Sequence, residues 1–180
     1  MCTVTECWST TPILLNTEAI TIGNNKCNER NHRIDLSKYF NLKNVSIGGA
    51  CFKNQDVFNI TGLHTLERVS IGEASFTTQG GWYGNDANRK MFVKNCDRLK
   101  ELRIKGSFTD YTVIEIENVD SLEVIELGEL YRNSYNFYFA SLELRSDYDG
   151  MTLMNRPTKF EITSLWQAFI RENHPSCVRE

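Results

Sequence analysis

The chain has 180 residues, of which 41% are hydrophobic and 24% charged, and its formal net charge is −3. This composition is typical of a folded chain, and no apolar run approaches the ~20 residues that a membrane span requires. The acidic balance argues against a nucleic-acid partner, because nucleic-acid-binding domains are usually basic. Residues 1–6 lack the basic and apolar regions of a signal peptide, which predicts a cytoplasmic protein, or an extracellular one if the chain is a fragment.

A short motif recurs along the chain with a period near 24 residues. The pattern of Leu, two variable residues, an apolar residue, a variable residue and Ile or Leu lies at 42–47, 66–71, 99–104 and 122–127. A weaker first copy occupies 19–23, and a last one lies at 160–162. Self-similarity at this period is typical of repeat architectures.

Each copy of the motif is preceded by a second segment in which apolar and polar residues alternate. These segments are 34–36, 58–60, 91–93 and 114–116, with 142–144 as a further candidate. The last apolar residue of each of the first four is followed 11 residues later by the Ile or Leu that ends the next motif. Alternation with period two indicates half-buried strands. In the second strand of each pair, the inward side chains are expected at 45 and 47, 69 and 71, 102 and 104, and 125 and 127.

The pattern therefore predicts a mainly β protein, a β-solenoid with two short strands per coil and apolar side chains stacked from coil to coil. We expect a single repeat domain over residues 1–180, with repeats at about 17–165 and terminal or cap segments at 1–16 and 166–180. The segment 164–180 fits two alternatives: a short amphipathic helix that caps the array, or the break point of a longer array.

The Leu-x-x-Val-x-Ile motif resembles leucine-rich repeats. Its extension Ile71-Gly72-x-x-Ser75-Phe76 looks most like the bacterial-surface-antigen type, which is widespread in protists. The resemblance implies a binding or adhesion protein. One feature departs from the family, because the asparagine expected three residues after the strand survives only as Asn25. The corresponding positions hold Ala50, Ala74, Ser107 and Leu130. This departure favours strands on both faces over a helix-backed horseshoe.

The connections that lead back from the motif vary in length, and all of this variation falls on one edge of the predicted solenoid. The longest stretch, 77–85, is glycine-rich and contains adjacent aromatic residues, and the segment 131–136 is rich in tyrosine. Such loops either form a recognition surface or fold back over the core. The candidate partner-binding residues are Trp82, Tyr83, Asn85, Tyr131 and Tyr135.

The six cysteines do not show the spacing of a metal site. In the repeat alignment, Cys96 and Cys27 fill core positions and Cys51 fills a small-residue position, which favours reduced cysteines. The alternative is a Cys2–Cys7 bridge that staples an N-terminal cap.

No catalytic motif occurs in the sequence. There is no phosphate-binding loop, no dinucleotide fingerprint and no nucleophile elbow, and His64 is expected on the surface in the turn before the motif.

A column of alternating charge is predicted at Glu18, Lys43, Glu67, Lys100 and Glu123. Such a column carries no single-sign field to hold phosphate or nucleic acid.

These patterns predict a protein-binding repeat scaffold that is not an enzyme and has no cofactor, no metal and no catalytic residue. The alternative is an extracellular adhesion or surface-antigen fragment that binds a glycan or a host protein.

Overall fold

The computed structural model describes residues 3–4, 7, 15–30, 34–78, 86–126, 141–145 and 159–161, and the described part is built from strands without a helix. The strands are β1 (Thr3–Val4), β2 (Ala19–Ile22), β3 (Asn44–Ile47), β4 (Val57–Thr61), β5 (Arg68–Ile71), β6 (Asp86–Lys94), β7 (Glu101–Ile104), β8 (Tyr111–Glu117), β9 (Val124–Glu126), β10 (Ser141–Arg145) and β11 (Lys159–Glu161). Within these ranges, no helix is long and apolar enough to cross a membrane. The candidate C-terminal helix over 164–180 lies outside the described residues.

The strands form two parallel sheets, and from β3 onward successive strands alternate between them. The first sheet has the order β1-β2-β3-β5-β7-β9-β11, and the second has the order β10-β8-β6-β4. The predicted motif copies lie in register, since Val45 pairs with Val69 and Val69 with Leu102. The mainly β prediction is confirmed, as are the predicted strands at 58–60, 91–93, 114–116 and 142–144.

The core lies between the two sheets, because both contribute to one cluster of buried side chains. Alternation fixes which side chains enter it: β5 buries Val69 and Ile71, and β4 buries Phe58 and Ile60. The inward positions predicted for β3, β7 and β9 are likewise buried at 45, 47, 102, 104 and 125. Leu127 lies outside the described residues.

A repeated turn explains the constant spacing of 11 residues. Two residues after the last apolar residue of the strand, Gly62, Asn95 and Asn118 adopt positive φ and redirect the chain. The next residue contributes to the core, and its carbonyl accepts a hydrogen bond from the N–H three residues later, as in Leu66 to Leu63 (3.0 Å). The same bond joins 42 to 39, 99 to 96 and 122 to 119. All four connections of equal length therefore share this hydrogen bond.

The strand predicted at 34–36 is wrong. Ile34 and Leu36 are buried as expected, but residues 34–36 form no strand, and the Ile34 N–H donates to the Gln55 side chain at 3.2 Å. The Ser37 hydroxyl and N–H both donate to Asp35 Oδ1 at 2.6 and 3.0 Å, and Tyr39 N–H donates to the Leu36 carbonyl at 3.1 Å.

After each motif, a phenylalanine enters the core, and these rings stack from coil to coil. Phe52 and Phe76 have ring centroids 5.4 Å apart, and Phe76 and Phe108 are 4.7 Å apart with an interplanar angle of 5°. Each of these residues has positive φ, between 52° and 60°. Near the connections of variable length that follow the motif, the core therefore consists of stacked rings.

The residue before each phenylalanine forms a buried polar ladder, defined here as Cys51, Ser75 and Ser107. Ser75 Oγ accepts the Cys51 N–H at 3.0 Å and donates to the Gly48 carbonyl at 2.7 Å. Ser107 Oγ repeats this arrangement with the Ser75 N–H and the Gly72 carbonyl, and Cys51 Sγ repeats it with the Lys26 N–H and the Gly23 carbonyl. The small residue of the motif thus satisfies the backbone of the preceding coil.

One of the positions at which the sequence alignment looked for an asparagine was assigned to the wrong residue. Asn25, Ala50 and Ala74 share a positive φ of 57–58° in the turn after their strands. In the next repeat, the residue with positive φ in this turn is Gly106 and not Ser107, because the segment from Ile104 to Phe108 is one residue shorter. Asparagine side chains still bond the turn backbone after β2, where Asn24 Oδ1 accepts the Gly49 N–H at 2.8 Å and Asn28 Nδ2 donates to the Ala50 carbonyl at 2.8 Å. At the opposite edge, Asn118 Nδ2 donates to Asn95 Oδ1 at 3.0 Å.

Two glycines of the motif, Gly48 and Gly72, are required by the close approach of the preceding repeat. A Cβ on Gly72 would lie 2.5 Å from the Gly49 nitrogen, and one on Gly48 would lie 2.5 Å from Asn24 Oδ1. Both distances are shorter than side chains tolerate, so substitution at either position separates the coils.

Cys7 and Cys27 form a disulfide with their Cα atoms 5.4 Å apart. The expected reduced state of Cys27 is therefore wrong, and so is the alternative of a Cys2–Cys7 bridge. The core position of Cys27 is confirmed, and it matches the slot that Phe52 fills in the next coil. The alignment could not reveal the bridge, because Cys7 lies outside the repeats. Cys51 and Cys96 are buried free thiols, as expected.

The predicted charge column is in register along the backbone. Lys43 N–H donates to the Glu18 carbonyl, and Glu67, Lys100 and Glu123 each repeat this bond to the preceding member. These residues lie just before their strands rather than within them. The Lys43 and Glu18 side chains form an ion pair at 3.3 Å, while Glu67 contacts Arg68 at 3.6 Å.

Candidate functional site

The predicted partner-binding residues Trp82, Tyr83, Asn85, Tyr131 and Tyr135 all lie outside the described residues. The described residues end at Thr78 and begin again at Asp86, so they include both ends of the longest insertion. These two ends and the coil that holds them contain a buried ion pair, which is the candidate site.

Arg89 faces the interior because it continues the alternation of inward and outward side chains along β6. An irregular stretch begins this strand, since Asp86 pairs with Tyr111 and Lys90 with Val113. Arg89 lies on the same face of β6 as the buried Met91 and Val93, and its side chain is only 4% exposed.

The Arg89 guanidinium connects three coils. One nitrogen, Nη1, donates to Asp110 Oδ2 at 2.5 Å and to the Phe76 carbonyl at 3.4 Å. The other, Nη2, donates to the Lys53 carbonyl at 2.5 Å. The guanidinium also lies 5.3 Å from the centre of the Tyr111 ring, within the range of a cation–π contact.

Asp110 holds the entrance of the insertion. The Thr78 N–H donates to Asp110 Oδ2 at 3.1 Å, and the Thr78 hydroxyl donates to the same oxygen. The side chain is 7% exposed, and its other oxygen, Oδ1, is buried without a hydrogen-bond partner among the described residues. Thr109 adds a contact from its N–H to the Thr77 hydroxyl at 3.4 Å.

The exit of the insertion is held by the same coil. The Thr112 hydroxyl lies 3.2 Å from the carbonyl oxygens of Asp86 and Arg89. The N–H of Asn88 donates to Asp86 Oδ1 at 2.9 Å, which fixes the first turn after the insertion. Residues 109–112 therefore bind both ends of the insertion.

The polar network continues into the core through Tyr111. Its hydroxyl donates to the Gln55 carbonyl at 2.7 Å, and its ring meets Phe108 edge-on at 4.8 Å. The Gln55 side chain accepts the Ile34 N–H at 3.2 Å and donates to the Val57 carbonyl at 2.5 Å. The network thus ties the insertion to the edge strand β4 and to the first coils.

The contacts of this site hold the two ends of the insertion against the neighbouring strand and turn. A buried ion pair contributes little net stability against apolar replacements, so its effect is to hold a particular geometry. The Arg89 and Asp110 groups bond to main chain, to Thr78 and to each other. Among the described residues, no group of three or more His, Cys, Asp or Glu side chains is arranged to hold a metal ion.

His64 lies on the surface, as predicted, with its side chain 64% exposed. Its Nδ1 is 2.8 Å from Asp97 Oδ2, an ion pair when the ring is protonated.

The sequence contained one signal for the buried pair. Arg89 precedes Met91 and Val93 at spacings of two and four, so alternation places it inward. The partner Asp110 had no comparable signal, because its position depends on the turn that follows Phe108.

Comparisons with protein-family models, curated proteins and solved structures found no match to this chain. The resemblance to leucine-rich repeats therefore remains a prediction from the motifs.

Proposed function

We propose that the chain is a leucine-rich-repeat-like β-solenoid that serves as a protein-binding scaffold and has no catalytic activity of its own. The variable edge carries the recognition residues, with Trp82, Tyr83 and Asn85 in one insertion and Tyr131 and Tyr135 in the other. Aromatic residues on loops that a rigid scaffold presents are typical of binding hot spots.

The observation that carries this proposal is the anchoring of the first insertion at both ends. Thr78 is held by Asp110, Asp86 is held by Thr112, and Arg89 links this coil to its neighbours on both sides. A connection that only bridged two strands would not need a buried ion pair at its base. Binding sites gain precision when neighbouring residues fix their supports.

An extracellular adhesion or surface-antigen fragment is the second candidate, and the Cys7–Cys27 disulfide favours it. Disulfides form and persist mainly in oxidising compartments. In this alternative the same edge binds a glycan or a host protein. Mass spectrometry of the native protein with and without reductant separates the two candidates. The bridged form supports the extracellular alternative, whereas six free thiols contradict it.

The function is tested with the double variant Trp82→Ala/Tyr83→Ala. A partner isolated with the wild-type chain is purified, and its affinity for both proteins is measured by calorimetry. We expect a loss of about ten-fold or more, as for truncation of interface hot spots. The matched control is Tyr39→Phe, a conservative change outside the insertion. Unchanged affinity of the double variant, or an equal loss with the control, contradicts the proposal.

A further inference from the structure

Two asparagines of the chain stand in the sequence Asn-x-Ser/Thr, which is the acceptor motif of N-glycosylation. They are Asn44, in the segment 44–46, and Asn59, in the segment 59–61. The motif alone does not select between them, because so short a pattern also occurs by chance. Asn44 lies in β3, between β2 and β5, whereas Asn59 lies in β4, the last strand of its sheet. The two acceptors therefore have different surroundings.

Asn59 and Thr61 are exposed on the outward face of β4. Exposed and buried side chains alternate along this strand, so that only Phe58 and Ile60 enter the core. Space is also open at Gly62, since a Cβ built there meets no heavy atom of the described residues within 4 Å beyond its own chain neighbours. A large group on Asn59 can therefore extend into solvent without displacing the core.

The contact between the two polar residues of this motif leaves the amide nitrogen open. The Thr61 hydroxyl donates to Asn59 Oδ1 at 2.5 Å. Within the described part of the chain, Asn59 Nδ2 donates no hydrogen bond. Because a glycan replaces a hydrogen on Nδ2 and leaves the oxygen in place, the bond from Thr61 is compatible with the modification.

Asn44 has closer neighbours than Asn59. It is half-buried, and it pairs in register with Ala19 on one side and with Arg68 on the other. The Arg68 side chain forms ion pairs with Glu67 at 3.6 Å and with Glu101 at 3.2 Å. Adjacent strands lie ~4.8 Å apart, so a glycan on Asn44 has to compete with Arg68 for space. The interior of this sheet thus offers a bulky group less room than the edge strand does.

The Cys7–Cys27 disulfide supports the second condition, which is passage through the compartment where this modification takes place. Disulfides form mainly in oxidising compartments, such as the lumen of the endoplasmic reticulum, and N-glycosylation is likewise a modification of secreted proteins. The inference rests on the extracellular alternative proposed above, and it does not depend on the identity of the partner.

We propose that Asn59 is an N-glycosylation site of this chain and that Asn44 is left unmodified. The substrate is an oligosaccharide linked to a lipid diphosphate, which an oligosaccharyltransferase supplies. Asn59 Nδ2 forms a bond to C1 of the first sugar and loses one proton. The bond from C1 to the diphosphate oxygen breaks, and the lipid diphosphate leaves with the electron pair. The glycan then extends from the outward face of β4.

The test is secretion of the chain from a eukaryotic cell line behind an added signal peptide. Mobility on a denaturing gel is compared before and after digestion with peptide N-glycosidase, and the intact mass gives the number of glycans. We expect one glycan per chain, lost completely in Asn59→Gln and retained in Asn44→Gln, the matched control. A wild-type chain without a glycan, a glycan that persists in Asn59→Gln, or one that disappears in Asn44→Gln overturns the proposal.

Variants of Thr61 test the role of its hydroxyl group. Thr61→Ala should lose the glycan, whereas Thr61→Ser keeps the motif and should retain it. Because Thr61 is exposed, thermal unfolding of both variants should match that of the enzymatically deglycosylated wild-type chain. A glycan on Thr61→Ala would show that the modified residue is not Asn59, and this outcome also overturns the proposal.

Thiol counting in the same secreted sample separates this proposal from the extracellular alternative on which it rests. A chain with the Cys7–Cys27 bridge and no glycan overturns the proposal and leaves that alternative standing. A chain with six free thiols and no glycan contradicts both. A glycan on Asn59 and none on Asn44 supports the proposal in either redox state.

Discussion

At the scale of single residues, small polar side chains perform the structural task that asparagine performs in the family the motifs resemble. Ser75 is fully buried, and its hydroxyl both accepts and donates a hydrogen bond to the backbone of the preceding coil. Removing such a group leaves the Cys51 N–H and the Gly48 carbonyl without their partner. A buried polar group without a partner costs far more than an ordinary hydrogen bond contributes.

Ser75→Ala should therefore lower the free energy of unfolding by about 1–3 kcal/mol. The measurement is urea unfolding monitored by circular dichroism. Ser46→Ala is the matched control, because Ser46 is exposed on β3, and it should change stability by less than about 0.5 kcal/mol. Equal effects of the two substitutions would show that the ladder contributes nothing specific.

Cys96 occupies the core position that Leu63 and Val119 fill in neighbouring coils, and burial raises the pKa of its thiol from 9.0 to about 11. The folded state keeps the proton where the unfolded state has lost it. The contribution of this thiol to stability is therefore complete below pH 9 and is lost as the pH rises toward 11.

The variant Cys96→Val isolates this effect, since valine already fits the equivalent position at Val119. Its free energy of unfolding should fall less steeply between pH 9 and about 11 than that of the wild-type chain. Denaturant unfolding across that range measures both slopes. Parallel slopes for the two proteins would contradict the assignment.

At the scale of elements, the alternation of apolar and polar residues predicted where most strands lie, but it did not predict the irregular stretch at the start of β6. In β5, Val69 and Ile71 are buried, as their spacing of two residues requires, and the same holds for Phe58 and Ile60 in β4. The segment 34–36 has the same alternation but no strand, and the Ile34 N–H bonds to the Gln55 side chain rather than to a neighbouring strand. Asp110 could not be found as a site residue, because its role depends on Arg89 and Thr78, which are 21 and 32 residues away along the chain.

The ion pair makes a prediction at this scale. Asp110→Ala leaves the buried Arg89 with only the half-exposed Asp56, 3.9 Å away, as a counter-ion, and should lower the free energy of unfolding by about 3 kcal/mol. The double variant Arg89→Met/Asp110→Leu removes both charges and should recover most of that loss, because apolar replacements avoid the cost of desolvation. Chemical denaturation of both variants measures the difference. A double variant no more stable than Asp110→Ala would mean that the charges themselves stabilise the fold.

At the scale of the whole molecule, the two sheets share one core that is closed at its N-terminal end by a covalent bond. Cys27 occupies the position of the stacked phenylalanines, and its disulfide joins it to Cys7, 20 residues earlier. A bridge that closes a loop of this length contributes about 3 kcal/mol by restricting the unfolded chain.

Cys7→Ser should therefore lower the free energy of unfolding by about 3 kcal/mol, and reductant should lower that of the wild-type chain equally. Reductant should have no effect on the variant, which serves as the control. Equilibrium unfolding with and without dithiothreitol measures all four values. A wild-type chain that is insensitive to reductant would contradict a structural role for this bridge.

We propose that the buried pair of Arg89 and Asp110 holds the first insertion in position for binding. The most direct measurement is the affinity of the purified partner for Arg89→Met/Asp110→Leu, with Trp82→Ala/Tyr83→Ala measured beside it. We expect both variants to lose about ten-fold or more in affinity, while the melting temperature of the first stays near that of the wild-type chain. Wild-type affinity in the ion-pair variant would contradict this proposal.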